Sequence, residues 1–281
     1  MQITYSPCIA NCLEYNESME PSLVIPLIVG WIGGWMVNYL ADVLPATRRF
    51  SQPACQHCDA ATTWQDYLLL RACRSCGKRR KPRVWIVQVF LAAVSIYIWM
   101  SPPARLGYAL GLLILLYFTM DFVIDLEHRL ILHPTSIFGA LLGLGAGALR
   151  QGLFSTLAGG LAGFAIMFLF YLLGAVFARL RARRMRKAGL AADNEEALGA
   201  GDVILATILG LFLGWPIAWF GLLLGILLGG AISILLLLGL LVSGQYKEKA
   251  WMVFIPYGPY FLLSAFLILY LPTWVKAIVP K

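Results

Sequence analysis

Charge is scarce in this chain. Asp, Glu, Lys and Arg make up 13% of its 281 residues, where a soluble domain carries about a quarter. With 60% hydrophobic residues, that scarcity excludes an ordinary water-soluble fold. No series of alternating ~10-residue segments is present, which excludes a transmembrane β-barrel. No unit recurs at a fixed period of about 20–50 residues, which excludes a repeat array. The first twenty residues contain Glu14, Glu17 and Glu20 but no Lys or Arg. That is the wrong charge for a cleavable signal peptide, so the first apolar run is expected to be a retained span.

What is abundant is long apolar sequence. Runs of spanning length recur, so the expected fold is an all-α polytopic membrane protein with about eight transmembrane helices. The spans are expected at 22–44, 84–101, 104–124, 134–149, 153–178, 202–214, 217–243 and 251–273. Within them glycines stand four apart: Gly30 and Gly34; Gly139, Gly143 and Gly147; Gly159 and Gly163; Gly221, Gly225 and Gly229. Small residues at that spacing let helix backbones approach closely.

The basic residues orient the chain. With the N-terminus outside, eighteen of the 22 Lys and Arg fall in inside loops, and only Arg105, Arg150, Lys276 and Lys281 fall outside. This asymmetry predicts external termini. The net charge of +8 is then a topology determinant beside anionic lipid and not a nucleic-acid-binding surface. The expected division is an external tail at 1–21, a first span at 22–44, a cytoplasmic loop at 45–83 and a helical membrane domain at 84–281. The tail carries Cys8 and Cys12, free or paired. The span at 202–214 covers only ~20 Å at ~1.5 Å per residue, short of a ~30 Å hydrocarbon core.

The loop reads "CQHCDAATTWQDYLLLRACRSCGKRR". Cys55, Cys58, Cys73 and Cys76 form two C-x2-C turns. Two such turns complete a four-thiolate site for structural zinc, with no open position for catalysis. A loop of about forty residues buries little core, so a metal staple suits it. A reducing cytoplasmic side disfavours disulfides. His57 is a bystander within the first turn.

Ionisable groups near apolar spans are costly and tend to be paired, solvated or functional. Asp42 sits at the inner end of the first span, a position that suits an interfacial residue. Asp121 and Asp125 stand four apart, on one helix face. Asp202 follows Gly199 and Gly201 and suits an N-cap. The topology puts Asp125 and Asp202 together at the cytoplasmic boundary. Two such acids can share one proton, one activating water while the other hydrogen-bonds a scissile carbonyl. The glycines before Asp202 leave room for a peptide to approach.

The G-x-G-D element "GAGD" at 199–202 is that of membrane aspartic proteases. Together with "IDLEH" at 124–128, the cysteine turns, "GWIGGWMVNYLADVLP" at 30–45 and "IPYGPYFLL" at 255–263, it resembles the type IV prepilin peptidase family. The resemblance implies an aspartic endopeptidase of the bacterial inner membrane that removes the basic leader from prepilins or pseudopilins at the cytoplasmic face. It implies Asp125 and Asp202 as the catalytic pair. Gly199, Gly201, Pro256, Gly258 and Pro259 are then supporting residues. Many members also methylate the new N-terminus with S-adenosylmethionine, an activity the resemblance leaves open here. The chain departs from the family pattern at Pro134, nine residues after Asp125, and at Ile204, where Lys is common. Two other readings use the same residues: a non-enzymatic scaffold stapled by zinc, and a presenilin-like protease acting within spans, for which Asp121 is the deeper acid.

Overall fold

The computed structural model describes residues 20–187, 199–243 and 257–272. Among them the chain is helical, with no β-strand and one isolated bridge between Ala54 and Ala61. The helices are α1 (Glu20–Thr47), α2 (Trp64–Leu68), α3 (Pro82–Met100), α4 (Gly107–His128), α5 (His133–Gln151), α6 (Leu153–Lys187), α7 (Ala200–Leu213), α8 (Ile217–Val242) and α9 (Gly258–Tyr270). All but α2 match an expected span in order and position. Five are long and apolar enough to cross a membrane: those in α1, α3, α4, α6 and α8. Helices satisfy their own backbone groups, which apolar surroundings require. The protein is therefore an all-helical, multi-pass membrane protein. Cys8, Cys12 and the segment 251–256 lie outside the described residues.

Helix α6 runs well beyond its expected end, and α7 starts before its expected first residue. The expected end of α6 was 178, but it continues to Lys187. The run "RLRARRMRK" contains good helix formers and no Gly or Pro, so nothing stops the helix at the end of the apolar stretch. Its 35 residues span about 52 Å, well beyond a ~30 Å hydrocarbon core. Helix α7 begins at Ala200, two residues before the expected start, because Ala200 and Gly201 both accept helical geometry. Gly199, extended at φ −79°, occupies the N-cap. Asp202 therefore sits inside the first turn and is not the cap.

The chain divides into two compact units. The first holds α1, α2, α3 and Gly107–Met120 of α4. Here α1 packs on α3. A Cβ on Gly30 would lie 2.6 Å from Ser95 Cβ, and one on Gly34 would lie 2.8 Å from the Gln88 amide. The glycine pair thus makes the close approach possible. Polar side chains cross the same seam. Asn38 donates to the Val84 carbonyl at 3.1 Å, Ser95 to the Pro26 carbonyl at 2.7 Å, and Gln88 to the Trp31 carbonyl.

The second unit holds Asp121 onward, with α5 to α9. Its centre is the short helix α7, packed by α5, α6, α8 and α9. Val203, Leu205, Ala206, Ile208, Leu209 and Phe212 are all buried. A Cβ on Gly159 of α6 would lie 2.5 Å from Gly214 Cα, so α6 meets the end of α7 backbone to backbone. At that end Arg150 donates to the Phe212 carbonyl at 3.4 Å, and the Trp215 N–H donates to the Ser155 carbonyl at 2.9 Å. A 14-residue helix is tolerated there because protein surrounds it and serves its terminal backbone groups.

Candidate active site and cysteine cluster

The two C-x2-C turns fold alike. Cys55 N–H donates to the Ala60 carbonyl, and the Asp59 N–H returns to the Cys55 carbonyl, each at 2.9 Å. Cys73 N–H donates to the Lys78 carbonyl at 3.0 Å, and the Gly77 N–H returns to the Cys73 carbonyl at 2.8 Å. The residue after each second cysteine turns left-handed, Asp59 at φ 54° and Gly77 at φ 68°. Asn, Asp and Gly tolerate that conformation best. The four sulfurs gather within 4.8 Å of one another. Cys55 Sγ lies 3.7 Å from Cys76 Sγ, and Cys58 Sγ lies 3.8 Å from Cys73 Sγ. A tetrahedron with metal–sulfur bonds of about 2.3 Å has sulfur–sulfur edges of about 3.8 Å. The cluster therefore fits a metal ion. The Cys76 and Ser75 N–H groups point at the Cys73 sulfur and hold its thiol down to about 6, towards the thiolate that binds metal. His57 is not part of the cluster.

The loop is anchored by a residue the sequence undervalues. Asp42 is buried near the end of α1. It accepts from Gln56 Nε2 at 2.6 Å and from the Tyr67 hydroxyl at 2.7 Å, and it pairs with Arg83. Arg80 stacks on the Tyr67 ring at 3.8 Å, a cation–π contact. Burial, then the Asp42 charge, push the Tyr67 hydroxyl well above its ordinary value, so it stays a donor. Asp66 accepts from Thr63 at 2.7 Å and pairs with Arg74 at 2.7 Å. Both hold its carboxyl below the usual range, Thr63 the more strongly. The signal for Asp42 was a lone acid at a helix end beside a basic loop. Nothing local marks Tyr67 as its partner.

In the other unit three elements converge. Asp125 lies in the last turn of α4, and its carbonyl accepts from the left-handed Arg129 at 2.9 Å. The side chain is buried, and Oδ2 has no hydrogen-bond partner among the described residues. Its carboxyl interacts electrostatically with Asp202, Asp121 and Arg129. Asp202 is half-buried in the first turn of α7. Its Oδ2 lies 3.9 Å from where a Cβ on Gly199 would stand. A Cβ on Gly201 would meet Ile131 at 3.1 Å. The G-x-G-D turn thus rests on the segment that follows α4. The third element is the start of α9: Gly258 abuts Asp125, and Pro259 is buried in the first turn. Gly258, at the start of α9, thus touches both Asp125 of α4 and Leu205 of α7, one turn beyond Asp202. Gly199 is exposed at the helix cap, and Pro256 lies outside the described residues.

Comparison with known proteins finds similarity over this part of the chain. A prepilin leader peptidase/N-methyltransferase of Myxococcus xanthus (strain DK1622) is 28% identical over 246 residues, which is 80% of this chain and 66% of the relative. The chain thus spans just under two thirds of that relative's length. No solved structure matches the chain. The type IV leader peptidase family matches residues 109–234, a stretch that contains Asp121, Asp125 and Asp202 and excludes the cysteine loop. Over residues 109–234 the chain is similar to the type IV leader peptidase family.

Proposed function

We propose that this protein is an aspartic endopeptidase that removes the basic leader from type IV prepilins or pseudopilins. Asp125 and Asp202 are its catalytic pair. The observation that carries this reading is that two acids, from α4 and α7, lie within electrostatic range of each other inside the stretch that matches the leader peptidase family. One carboxylate, ionised, draws a proton from the attacking water. The other, protonated, hydrogen-bonds the scissile carbonyl and later supplies the proton to the leaving amine. The name of the Myxococcus relative supports prepilins as the substrate class.

The bias of Lys and Arg supports external termini, an inner-membrane location and a site facing the cytoplasm. A leader cut there is met where the substrate's apolar segment leaves the bilayer. In this reading the cysteine cluster holds zinc through Cys55, Cys58, Cys73 and Cys76. Four thiolates leave no open coordination position, so the ion would supply folding energy to the loop. The relative's name also favours a second reaction, methylation of the new N-terminus from S-adenosylmethionine. Mass spectrometry of the mature N-terminus reads that directly as one added methyl group.

The test is leader removal from a cognate prepilin in membranes. Asp125→Asn and Asp202→Asn should each lower the rate by roughly 10²–10⁴-fold. Full cleavage by either variant, present at wild-type level and folded, would remove that residue from the mechanism.

A further inference from the structure

Asp125 Oδ2 is a buried carboxylate oxygen with no hydrogen-bond partner among the described residues. Such an atom calls for an explanation. It does not face apolar side chains alone. It occupies the place that a side chain on Gly258 would fill, well inside van der Waals contact, and Asp125 Cγ lies 3.0 Å from that place. Gly258 is the first residue of α9, and the start of a helix carries partial positive charge.

The same turn has few N–H groups to give. Pro259 has none. The Tyr260 and Phe261 N–H groups both go to the Tyr257 carbonyl, at 3.1 and 3.3 Å. The carboxylate oxygen therefore sits at the positive end of a 13-residue helix while its lone pairs stay unspent. An acid that must accept a proton from water needs that combination: a favourable field and an open acceptor.

We propose that Gly258 is a positioning residue for Asp125. Its missing side chain lets Oδ2 seat against the first turn of α9, which holds the carboxylate in place without consuming the acceptor that the reacting water needs. This rests on the reading of Asp125 as catalytic. It makes α9, which lies beyond the stretch matched by the leader peptidase family, part of the peptidase site.

The contact has one competing explanation, and the structure provides its control. A Cβ on Gly258 would also lie 3.2 Å from Leu205 Cδ2. If alanine at 258 did harm only by crowding Leu205, trimming Leu205 would relieve it. The experiment compares the full-length protein in membranes, Gly258→Ala, Leu205→Ala, the double variant and Asp125→Asn, using a cognate prepilin. Gly258→Ala should lower kcat by about tenfold to a hundredfold, as expected for a displaced reacting group. Its KM should stay within about twofold of the parent, since substrate contacts are not removed. The double variant should stay as slow relative to Leu205→Ala as Gly258→Ala is to the parent. Should Gly258→Ala alone fail to fold, the double variant, with the Leu205 contact removed, carries the same comparison. Parental kcat in Gly258→Ala, or its recovery in the double variant, overturns the proposal. Cleavage by the parent with none by Asp125→Asn keeps the peptidase reading intact in that event. No cleavage by the parent, or cleavage by Asp125→Asn, overturns both.

Discussion

The Tyr67 hydroxyl donates to Asp42 Oδ2 at 2.7 Å, joining the short helix of the cysteine loop to the end of α1. Gln56, from the first cysteine turn, and Arg83, from the start of α3, share the same carboxylate. One buried acid thus ties four segments of the first unit. The loop keeps its place through this polar knot as well as through any metal.

Removing the hydroxyl alone in Tyr67→Phe deletes one hydrogen bond and should cost about 1 kcal/mol. Asp42→Asn should cost more, about 2–3 kcal/mol, because it also strips Arg83, itself largely buried, of this ion pair. Protease protection of residues 50–81 in membranes orders the variants. Equal protection in Asp42→Asn and the parent would mean that the knot is decorative.

Metal analysis checks the cysteine cluster. Protein prepared without chelators should carry one zinc per chain, and Cys55→Ser should lose it. Cys55 is the buried member of the four, so its replacement leaves a void as well as an incomplete ligand set. Chelation of the parent should loosen the loop to protease while the membrane helices persist, because α1 and α3 are held by their own glycine and polar contacts. Protein that folds normally and contains no zinc refutes the assignment.

Much of this was readable from the sequence, for physical reasons. Apolar runs must become helices in lipid, so eight helices fall where hydropathy puts them. Thiolate spacing implies a ligand set, and the sulfurs do gather. The proposed pairing of Asp125 with Asp202 rests on topology and family pattern together. What escaped was long-range or cooperative. Asp42 looks like an ordinary interfacial acid because its partners lie 14, 25 and 41 residues away. Asp202 looks like a cap because Asp is a preferred cap residue and Gly201, just before it, is a poor helix former. The contact of Gly258 with Asp125 is a tertiary fact with no local trace.

The choice between Asp125 and Asp121 is open to a clean experiment. Both lie on α4, one helical turn apart. Only Asp125 is buried beside the start of α9 with an open oxygen. Asp121→Asn should therefore keep leader cleavage within about threefold of the parent, while Asp125→Asn loses it. The reverse result would move the chemistry deeper into the membrane and favour a protease acting within spans.

The packing of α6 on α7 makes the final prediction. A β-branched side chain in Gly159→Val has no room, because its Cβ alone would stand 2.5 Å from Gly214 Cα and against the Gly210 carbonyl. Backbone atoms on both sides cannot rotate away, so the helices must separate, at a cost of about 3 kcal/mol or more. Gly145 on α5 is the contrast, since a Cβ there meets nothing within 4 Å. Gly145→Ala should be neutral or stabilising by roughly 0.5–1 kcal/mol, through reduced backbone entropy in a helix interior. Thermal unfolding in detergent measures both. Separation of α6 from α7 should also cost cleavage, because α7 carries Asp202. A Gly159→Val protein that melts and cleaves like the parent would show that the backbone contact is not what holds α7 in place.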